Sequence, residues 1–444
     1  MPGALLSRRD AAAASVRLAG AYRDGGRTKD ALALYRDAFA VAEALAGEYP
    51  QDGDLKRDVA VILEKIGDAL FALGDFAAAS EMIRRDVAIS RELAQNDDSE
   101  ALRDLALALE RLGEAGQAMG ETGSALANFT EAIAIKRRIV AKSPGKTDYR
   151  RDLGIALSTL ADFRLALNDA RGALPLIAEA NDLFAYLAAS DPGNAFIARN
   201  LAQSRLHEAD ARLALGEVGE AIDGFALAIE DFEALAAADP ENARVSRDLA
   251  GALARLATAL RLAGKAPQAQ TAIDRSLAIN ETLRAADPDS ADLARDRLLG
   301  LERRADILMA LGRRNAAEAS YGEALALAET LAKSGNAMAV RDLSAMLMKI
   351  GDFSRADGGR AVALKNYERA LAIRSRLAAA DPDNAARQRD LILAHTRLAE
   401  TGKNPRANLA AALAIAEALE AAGTLAPADA SMPARLREAL ARHR

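Results

Sequence analysis

Along this chain apolar residues recur at three- and four-residue steps, in blocks that a glycine or a proline ends. Residues 239–265, DPENARVSRDLAGALARLATALRLAGK, show the rule. Val245, Leu249, Ala252, Leu253, Leu256 and Leu260 fall on one stripe, and Gly264 stands where the stripe stops. A period near 3.6 predicts an amphipathic helix rather than a strand. A second such block follows, and then the pattern starts again. One oddity marks each start: Arg247-Asp248 has counterparts at Arg9-Asp10, Arg57-Asp58, Arg103-Asp104, Arg151-Asp152, Arg295-Asp296, Arg341-Asp342 and Arg389-Asp390, with Arg199-Asn200 in the remaining slot. The intervals are 48 residues, occasionally 46.

Aligning the copies on these pairs brings other positions into register. Sixteen residues after the Asp or Asn comes a turn residue: Gly26, Gly74, Gly120, Asn168, Gly216, Gly264, Gly312 and Gly358. Five further on there is always alanine: Ala31, Ala79, Ala125, Ala173, Ala221, Ala269, Ala317 and Ala363. Four beyond that sits a bulky residue: Tyr35, Ile83, Phe129, Ile177, Phe225, Ile273, Tyr321 and Tyr367. Each period therefore predicts a helix of about 22 residues, a glycine turn, a second helix of similar length and a proline turn. Glycine stops the first helix because it accepts the left-handed cap conformation. Pro2, Pro50, Pro144, Pro192, Pro240, Pro288 and Pro382 lie eight residues before the repeat Asp or Asn and are read as first-turn prolines that open the next helix. The alanine has a packing reason, since a small side chain lets two helices cross closely. One hairpin cannot bury its own apolar stripe, so neighbours must stack.

These spacings resemble the tetratricopeptide repeat. Gly67, Gly74, Phe76, Ala79 and Ile83 match that family's small–turn–alanine–aromatic order, as do Ala305, Gly312, Ala317, Tyr321 and Ala324. The resemblance covers roughly residues 2–400 in eight consecutive copies. The family's early tryptophan is replaced mostly by leucine (Leu63, Leu109, Leu157, Leu253, Leu301, Leu347). The period exceeds the family's usual 34 residues by about 14, a long-helix form met in bacterial arrays and kinesin-light-chain-like proteins. The resemblance implies an all-α solenoid: a superhelix of about nine antiparallel helix-turn-helix repeats with a C-terminal capping helix. Residues 1–402 are assigned to the array, with repeats starting near 2, 50, 96, 144, 192, 240, 288, 334 and 382. Residues 403–444 hold the second helix of a truncated ninth repeat, from about Arg406 to Ala422, and a last helix with Pro433 in its first turn. The N-terminus starts in register at Pro2 with no comparable cap, which suits either a complete chain or one part of a longer product.

On each first helix, positions i, i+3, i+7, i+10 and i+14 from the Asp share a face, roughly opposite the leucine stripe. The i+7 rung reads Arg17, Lys65, Arg111, Thr159, His207, Arg255, Arg303, Lys349, Arg397, and the i+10 rung Gly20, Asp68, Glu114, Asp162, Asp210, Thr258, Asp306, Asp352, Glu400. The family architecture implies that this strip lines the concave groove. Two readings of it coexist. Stacked helices about 10 Å apart bring each base within reach of an acid, which makes a salt-bridge lattice that fixes register; the same strip makes a groove for a charged extended peptide or partner helix. The middle copies depart from the pattern. Thr159 and His207 lose the basic rung, Asn200 replaces the Asp, and Arg205 and Glu208 occupy positions that are apolar or small elsewhere. The spacing allows an Arg205–Glu208 pair on the helix surface, and this segment is read as a specialised contact site; the rival reading is ordinary drift, tolerated because Leu206 takes over the packing.

Composition narrows the function classes. The 444 residues are 51% hydrophobic and 27% charged, which suits a large core and excludes a membrane bundle. Net charge −6 argues against a nucleic-acid partner, whose phosphates call for a basic surface. There is no cysteine, so no disulfide, thiol nucleophile or thiolate metal site exists, and a reducing compartment fits. MPGALLSRRD carries no apolar core ahead of its arginines, and the run 409–416 is too short to span a bilayer. A cytoplasmic location is expected, with no membrane partner.

SPGKTD at 143–148 looks like the tail of a phosphate loop, but Val140 stands where its first glycine belongs and a helix precedes it. His207, His395 and His443 lie far apart, and His395 takes a leucine position, which predicts a core residue. No catalytic order, metal spacing or cofactor fingerprint is visible. The expectation is a non-catalytic scaffold for a protein or peptide, of unassigned oligomeric state, without cofactor. The alternative is the sensory or regulatory arm of a bacterial system, fused to or associated with a protease or signalling ATPase.

Overall fold

The computed structural model describes residues 2–382, 384–425 and 429–443, with side chains from Leu5 onward. The described residues form helices joined by short turns, with no strand. The first helix of each copy is α1 (Pro2–Asp24), α3 (Gly53–Ala72), α5 (Ser99–Ala118), α7 (Thr147–Ala166), α9 (Ala195–Ala214), α11 (Ala243–Leu262), α13 (Ala291–Ala310), α15 (Ala337–Ala356) and α17 (Ala385–Glu400). The second helices are α2 (Thr28–Glu48), α4 (Phe76–Leu93), α6 (Thr122–Lys142), α8 (Ala170–Ser190), α10 (Val218–Ala238), α12 (Ala266–Ala286), α14 (Arg314–Ala332), α16 (Arg360–Ala380) and α18 (Pro405–Ala421). A short α19 (Met432–Ala441) follows. Two compact units are distinguished, residues 1–160 and 161–444, and the boundary falls inside α7. Within the first, α1 to α6 pack each on the next; within the second, α8 to α19 do the same. Alternate first helices also touch, α9 with α11 and α11 with α13, and packing confined to near neighbours in sequence is the mark of a solenoid.

The turn inside each hairpin closes as the spacing predicts. At Gly74 the backbone turns left-handed (φ +81°) while the Asp75 N–H reaches back to the Leu70 carbonyl at 3.0 Å, and Asn168 takes the same conformation (φ +59°) in the copy that lacks glycine. Between hairpins the structure corrects the sequence reading. Pro50, Pro144, Pro192, Pro240, Pro288 and Pro382 precede the helices instead of sitting in their first turns. Each follows the opening residue of a four-residue turn, closed for example by the Asn242 N–H on the Asp239 carbonyl at 3.1 Å. The helix is then started by a side-chain cap: the Asn242 amide oxygen accepts from the Val245 N–H at 3.2 Å. Proline's fixed φ suits that turn position as well as a helix start, which is why the sequence alone confuses them. The motif at 143–148 is one of these turns, with Lys146 N–H on the Ser143 carbonyl at 3.0 Å.

The two 46-residue intervals have a local cause. Before α5 and α15 the proline turn is replaced by a left-handed residue followed directly by an N-cap, Asp97-Asp98 (φ +59° at Asp97) and Gly335-Asn336 (φ +73° at Gly335). The shorter joint removes two residues without disturbing the repeat register.

The core sits at the repeated alanine and the bulky residue after it. Ala31, Ala79, Ala125, Ala173, Ala221, Ala269, Ala317 and Ala363 are all fully buried, and Tyr35, Phe129, Ile177, Phe225, Ile273 and Tyr367 nearly so. The leucines that replace the family's tryptophan are buried against them. His395 is not a core residue. It is half-buried, and its Nδ1 lies 2.8 Å from Asn408 Oδ1, tying α17 to α18, because the ninth hairpin ends early and leaves this position beside a turn rather than a full second helix.

Candidate functional site

The recurring Arg-Asp pair is a joint between repeats. Seven of the nine arginines pair with the Asp of the next copy, not with their own neighbour: Arg9–Asp58 (2.5 Å), Arg57–Asp104 (3.0 Å), Arg103–Asp152 (2.6 Å), Arg199–Asp248 (2.6 Å), Arg247–Asp296 (2.5 Å), Arg295–Asp342 (2.6 Å) and Arg341–Asp390 (2.6 Å). Where Asn200 stands in place of Asp, Arg151 pairs within its own helix, with Asp148 (2.9 Å) and Asp152 (3.2 Å), and the Asn200 amide donates to the Phe196 carbonyl.

The second ladder runs the other way. The i+7 base of one copy meets the i+10 acid of the copy before it. Arg111 lies 3.5 Å from Asp68, His207 2.8 Å from Asp162, Arg255 3.0 Å from Asp210, Lys349 2.9 Å from Asp306 and Arg397 2.9 Å from Asp352. Asp306 and Asp352 are also held from within their own hairpins, by the hydroxyls of Tyr321 and Tyr367. Burial and the adjoining carboxylates push both phenols up. Burial likewise raises the Asp68 and Asp210 carboxyls, against the pull of Arg111 and Arg255.

Gaps in this ladder are informative. Lys65 faces the Gly20 position and turns to Glu64 at 3.0 Å. Glu114 faces Thr159 and keeps Arg111 of its own helix at 3.0 Å. Arg303 faces Thr258 and has no ion-pair partner among the described residues; burial lowers its guanidinium's pKa. Most of the strip, including Lys65, Asp68, Arg111, Thr159, Asn200, His207, Asp210, Arg255, Lys349 and Asp352, is half-buried, and Asp162 is exposed.

The Arg205–Glu208 pair that the spacing allows does not form. Arg205 crosses to Asp231 of α10 at 2.6 Å, while Glu208 accepts from Arg212 (2.8 Å) and from the Asn181 amide of α8 (2.8 Å). Each side chain points toward the second helix packed on its side of α9, and the four-residue step to Arg212 satisfies Glu208 on the helix itself. Leu206 is buried between them.

A set of buried polar groups escaped the sequence reading. Seven residues after the bulky position stand Lys136, Asn280 and Arg374, all buried. Lys136 pairs with Glu110 (2.7 Å), Asn280 donates to the Leu293 carbonyl (3.1 Å) and Arg374 to the Asp390 carbonyl (2.6 Å). Asp86, where other copies carry a small residue, is buried and accepts from Ser90 at 2.9 Å; burial pushes its carboxyl up to about 7. Carrying the alignment seven positions beyond the bulky residue would have exposed the first three.

Within each unit, hairpins packed in sequence order and joined at most steps by recurring ion pairs define a helical-repeat solenoid. Residues 12–52 and residues 301–331 match profiles of the tetratricopeptide repeat. The chain carries tetratricopeptide repeats in these two stretches. No curated protein sequence matches it. Among solved structures, the apo form of RapI is similar at 14% identity, over 72% of this chain and 98% of that one, with a TM-score of 0.50. A signal transduction ATPase with numerous domains and a tetratricopeptide repeat sensor, from Pyrococcus horikoshii, is similar at 17% identity, over 72% of this chain and 42% of that one, also with a TM-score of 0.50. BtubC (BKLC) from P. vanneervenii is 21% identical over 57% of this chain and 90% of that one, with a TM-score of 0.43.

Proposed function

We propose that the chain is a non-catalytic interaction scaffold that binds a peptide or partner protein along the charged strip of its first helices, in the groove that such arrays form. The observation that carries this reading is the strip itself. Its acids and bases lie off the core and half-exposed, and they repeat at most hairpins, so an extended partner meets the same kind of contact many times. Most of the pairs are exposed enough to contribute only about 0–1 kcal/mol each, so exchanging some of them for contacts with a partner costs little. The middle segment, with Arg205, His207 and Asp210, is the proposed centre of contact. A cytoplasmic setting fits: among the described residues no helix is long and apolar enough to cross a membrane.

Affinity purification from the native host followed by mass spectrometry tests the reading. Arg205→Glu, His207→Glu and Asp210→Lys are expected to lose the partner that the wild type captures. Unchanged capture by these variants, with helix content retained, removes the middle segment as the contact site. A second reading, the sensory arm of a signalling ATPase, is suggested by the tetratricopeptide repeat sensor of the similar ATPase from Pyrococcus horikoshii. It predicts that an ATPase or protease is itself the captured partner, or is encoded in frame with the array.

A further inference from the structure

In the fifth to seventh repeats a cleft of about 440 Å³ opens between the first helices α9, α11 and α13 and the second helix α12. Six arginines line it and only two carboxylates, Asp248 and Asp296. Four of the arginines are held by the ladders: Arg199 by Asp248, Arg247 by Asp296, Arg295 by Asp342 and Arg255 by Asp210. Arg244 and Arg303 have no carboxylate partner among the described residues. Arg303 is the one that breaks the rule. Its ladder position calls for an acid at Thr258, and the threonine hydroxyl there is spent on its own helix, donating to the Ala254 carbonyl at 3.1 Å. The guanidinium therefore lies partly buried, which disfavours its charged form; the charge of Glu302 opposes that effect, Arg255 adds to it, Asp210 and Asp296 oppose it, and none of these carboxylates pairs with Arg303. On its other side Arg303 lines a smaller cavity of about 220 Å³ with Arg261 and Lys349, but Glu302 and Asp306 line that cavity too, so the larger cleft is the side open to an anion.

A desolvated cation without a partner is destabilising unless something else supplies the negative charge. We propose that this cleft is an oxyanion site, and that Arg303 receives a carboxylate or phosphate group carried by an acidic segment of the partner protein. The proposal rests on the scaffold reading above and names the chemistry of its partner. A planar guanidinium takes either group through two parallel hydrogen bonds. Arg244, at the exposed mouth of the same cleft, offers a second donor one helix away. The whole chain carries net charge −6, so a cleft with this excess of arginine stands out against a surface that repels anions elsewhere.

The decisive variant is Thr258→Asp, which supplies from inside the fold the acid that the ladder lacks there. Fluorescence polarisation on the full chain with a labelled Glu-Gly repeat peptide, its Gln-Gly counterpart and a phosphoserine-containing peptide measures the site, with inorganic phosphate as competitor. The Glu-Gly or the phosphoserine peptide should bind and the Gln-Gly peptide should not. Which of the two anionic peptides binds tighter, and whether inorganic phosphate displaces it, identifies the group. Arg303→Gln and Thr258→Asp should each weaken binding by at least about tenfold, while Thr258→Asp unfolds at the same temperature as wild type or higher. The last result excludes a folding defect as the cause. If Arg303→Gln fails to fold, Thr258→Asp alone decides. Equal binding of the Glu and Gln peptides, no binding of either anionic peptide, or undiminished binding by Thr258→Asp overturns the oxyanion site. A partner captured from the host that is lost with Arg205→Glu but kept with Thr258→Asp overturns this site while leaving the scaffold reading standing.

Discussion

Arg389, the last arginine of the repeating pair, has no following repeat to meet, and Asp429 takes the missing place: its carboxylate lies 2.5 Å from the Arg389 guanidinium. Asp429 comes from the segment before α19, far out of register with the repeat, yet it ends the ladder as the other aspartates continue it. α19 adds Leu436 to the apolar cluster of Ile392, Leu409 and Leu419, covering the open end of the stack. Asp429 is buried while Arg389 remains half-exposed. Arg389→Gln should therefore destabilise more than Asp429→Asn, because it leaves a buried carboxylate without its cation, a loss of about 1–3 kcal/mol. Hydrogen exchange should show the loss confined to α17, α18 and α19. Protection falling equally in α9 would sink the idea of a local lock.

The ion-pair joints between repeats differ in exposure, and that difference predicts their strength. Arg199–Asp248 has side chains 18% and 16% exposed, against 40% and 44% for Arg57–Asp104. Solvent screens the second pair far more than the first. Double-mutant cycles with Arg→Gln and Asp→Asn should give a coupling above about 1 kcal/mol at the first joint and roughly 0.2–1 kcal/mol at the second. Raising the salt concentration should erase the second coupling and reduce the first only in part. Equal couplings at both joints would show that burial is not what sets them.

What was legible beforehand follows from what repetition can reveal. The alanine at 31, 79 and every later copy, and the bulky residue four beyond it, recur because the same interhelical gap recurs, so alignment within one chain finds them. The strip was legible for the same reason. Its wiring was not: spacing puts Arg247 and Asp248 side by side, but whether they pair together or with Asp296 depends on how far one hairpin is displaced from the next. The proline turns misled because a fixed φ suits both a turn and a helix start. Arg205 and Glu208 misled because a three-residue step on one helix says nothing about the acids and amides on its neighbours. Asp429 was invisible, since it occurs once.

Glycine within the first helices follows the same logic of close approach. A Cβ added at Gly113 would come within 2.9 Å of the Phe129 ring, which is itself fully buried and has nowhere to move. Gly47, in the last turn of α2, has nothing within 4 Å of the same added atom. Gly113→Ala should lower stability by about 1–3 kcal/mol through overpacking. Gly47→Ala should raise it by roughly 0.5–1 kcal/mol by restricting the unfolded chain. Thermal unfolding of the two variants, measured in one buffer, should show shifts of opposite sign; a stabilised Gly113→Ala would mean that the α5–α6 contact is looser than it stands here.

Asp86 predicts a pH response opposite in sign to that of an ion-paired carboxylate. Burial raises its pKa from 3.8 to about 7, the Ser90 hydroxyl opposes the shift, and the charges of Glu64 and Asp104 add to it. Between those two values the unfolded chain has released the proton while the folded chain still holds it. Folding therefore takes up a proton, and stability falls as pH rises through this window, by up to about 1.4 kcal/mol per pH unit. Above about 7 both states are ionised, and this contribution stays at its least favourable level. Asp86→Ala, which restores the small residue found at Ala132 and Ala180, removes the response. The variant should be more stable than wild type near pH 8, and the difference should shrink steadily toward pH 4, where the wild-type carboxyl is protonated in the fold and its hydrogen bond with Ser90 is retained. Urea unfolding at several pH values measures the difference directly, with the titrations of groups that do not interact with Asp86 cancelling between the two proteins. A difference that stays constant from pH 4 to pH 8 would mean that Asp86 reaches water and ionises freely in the folded repeat.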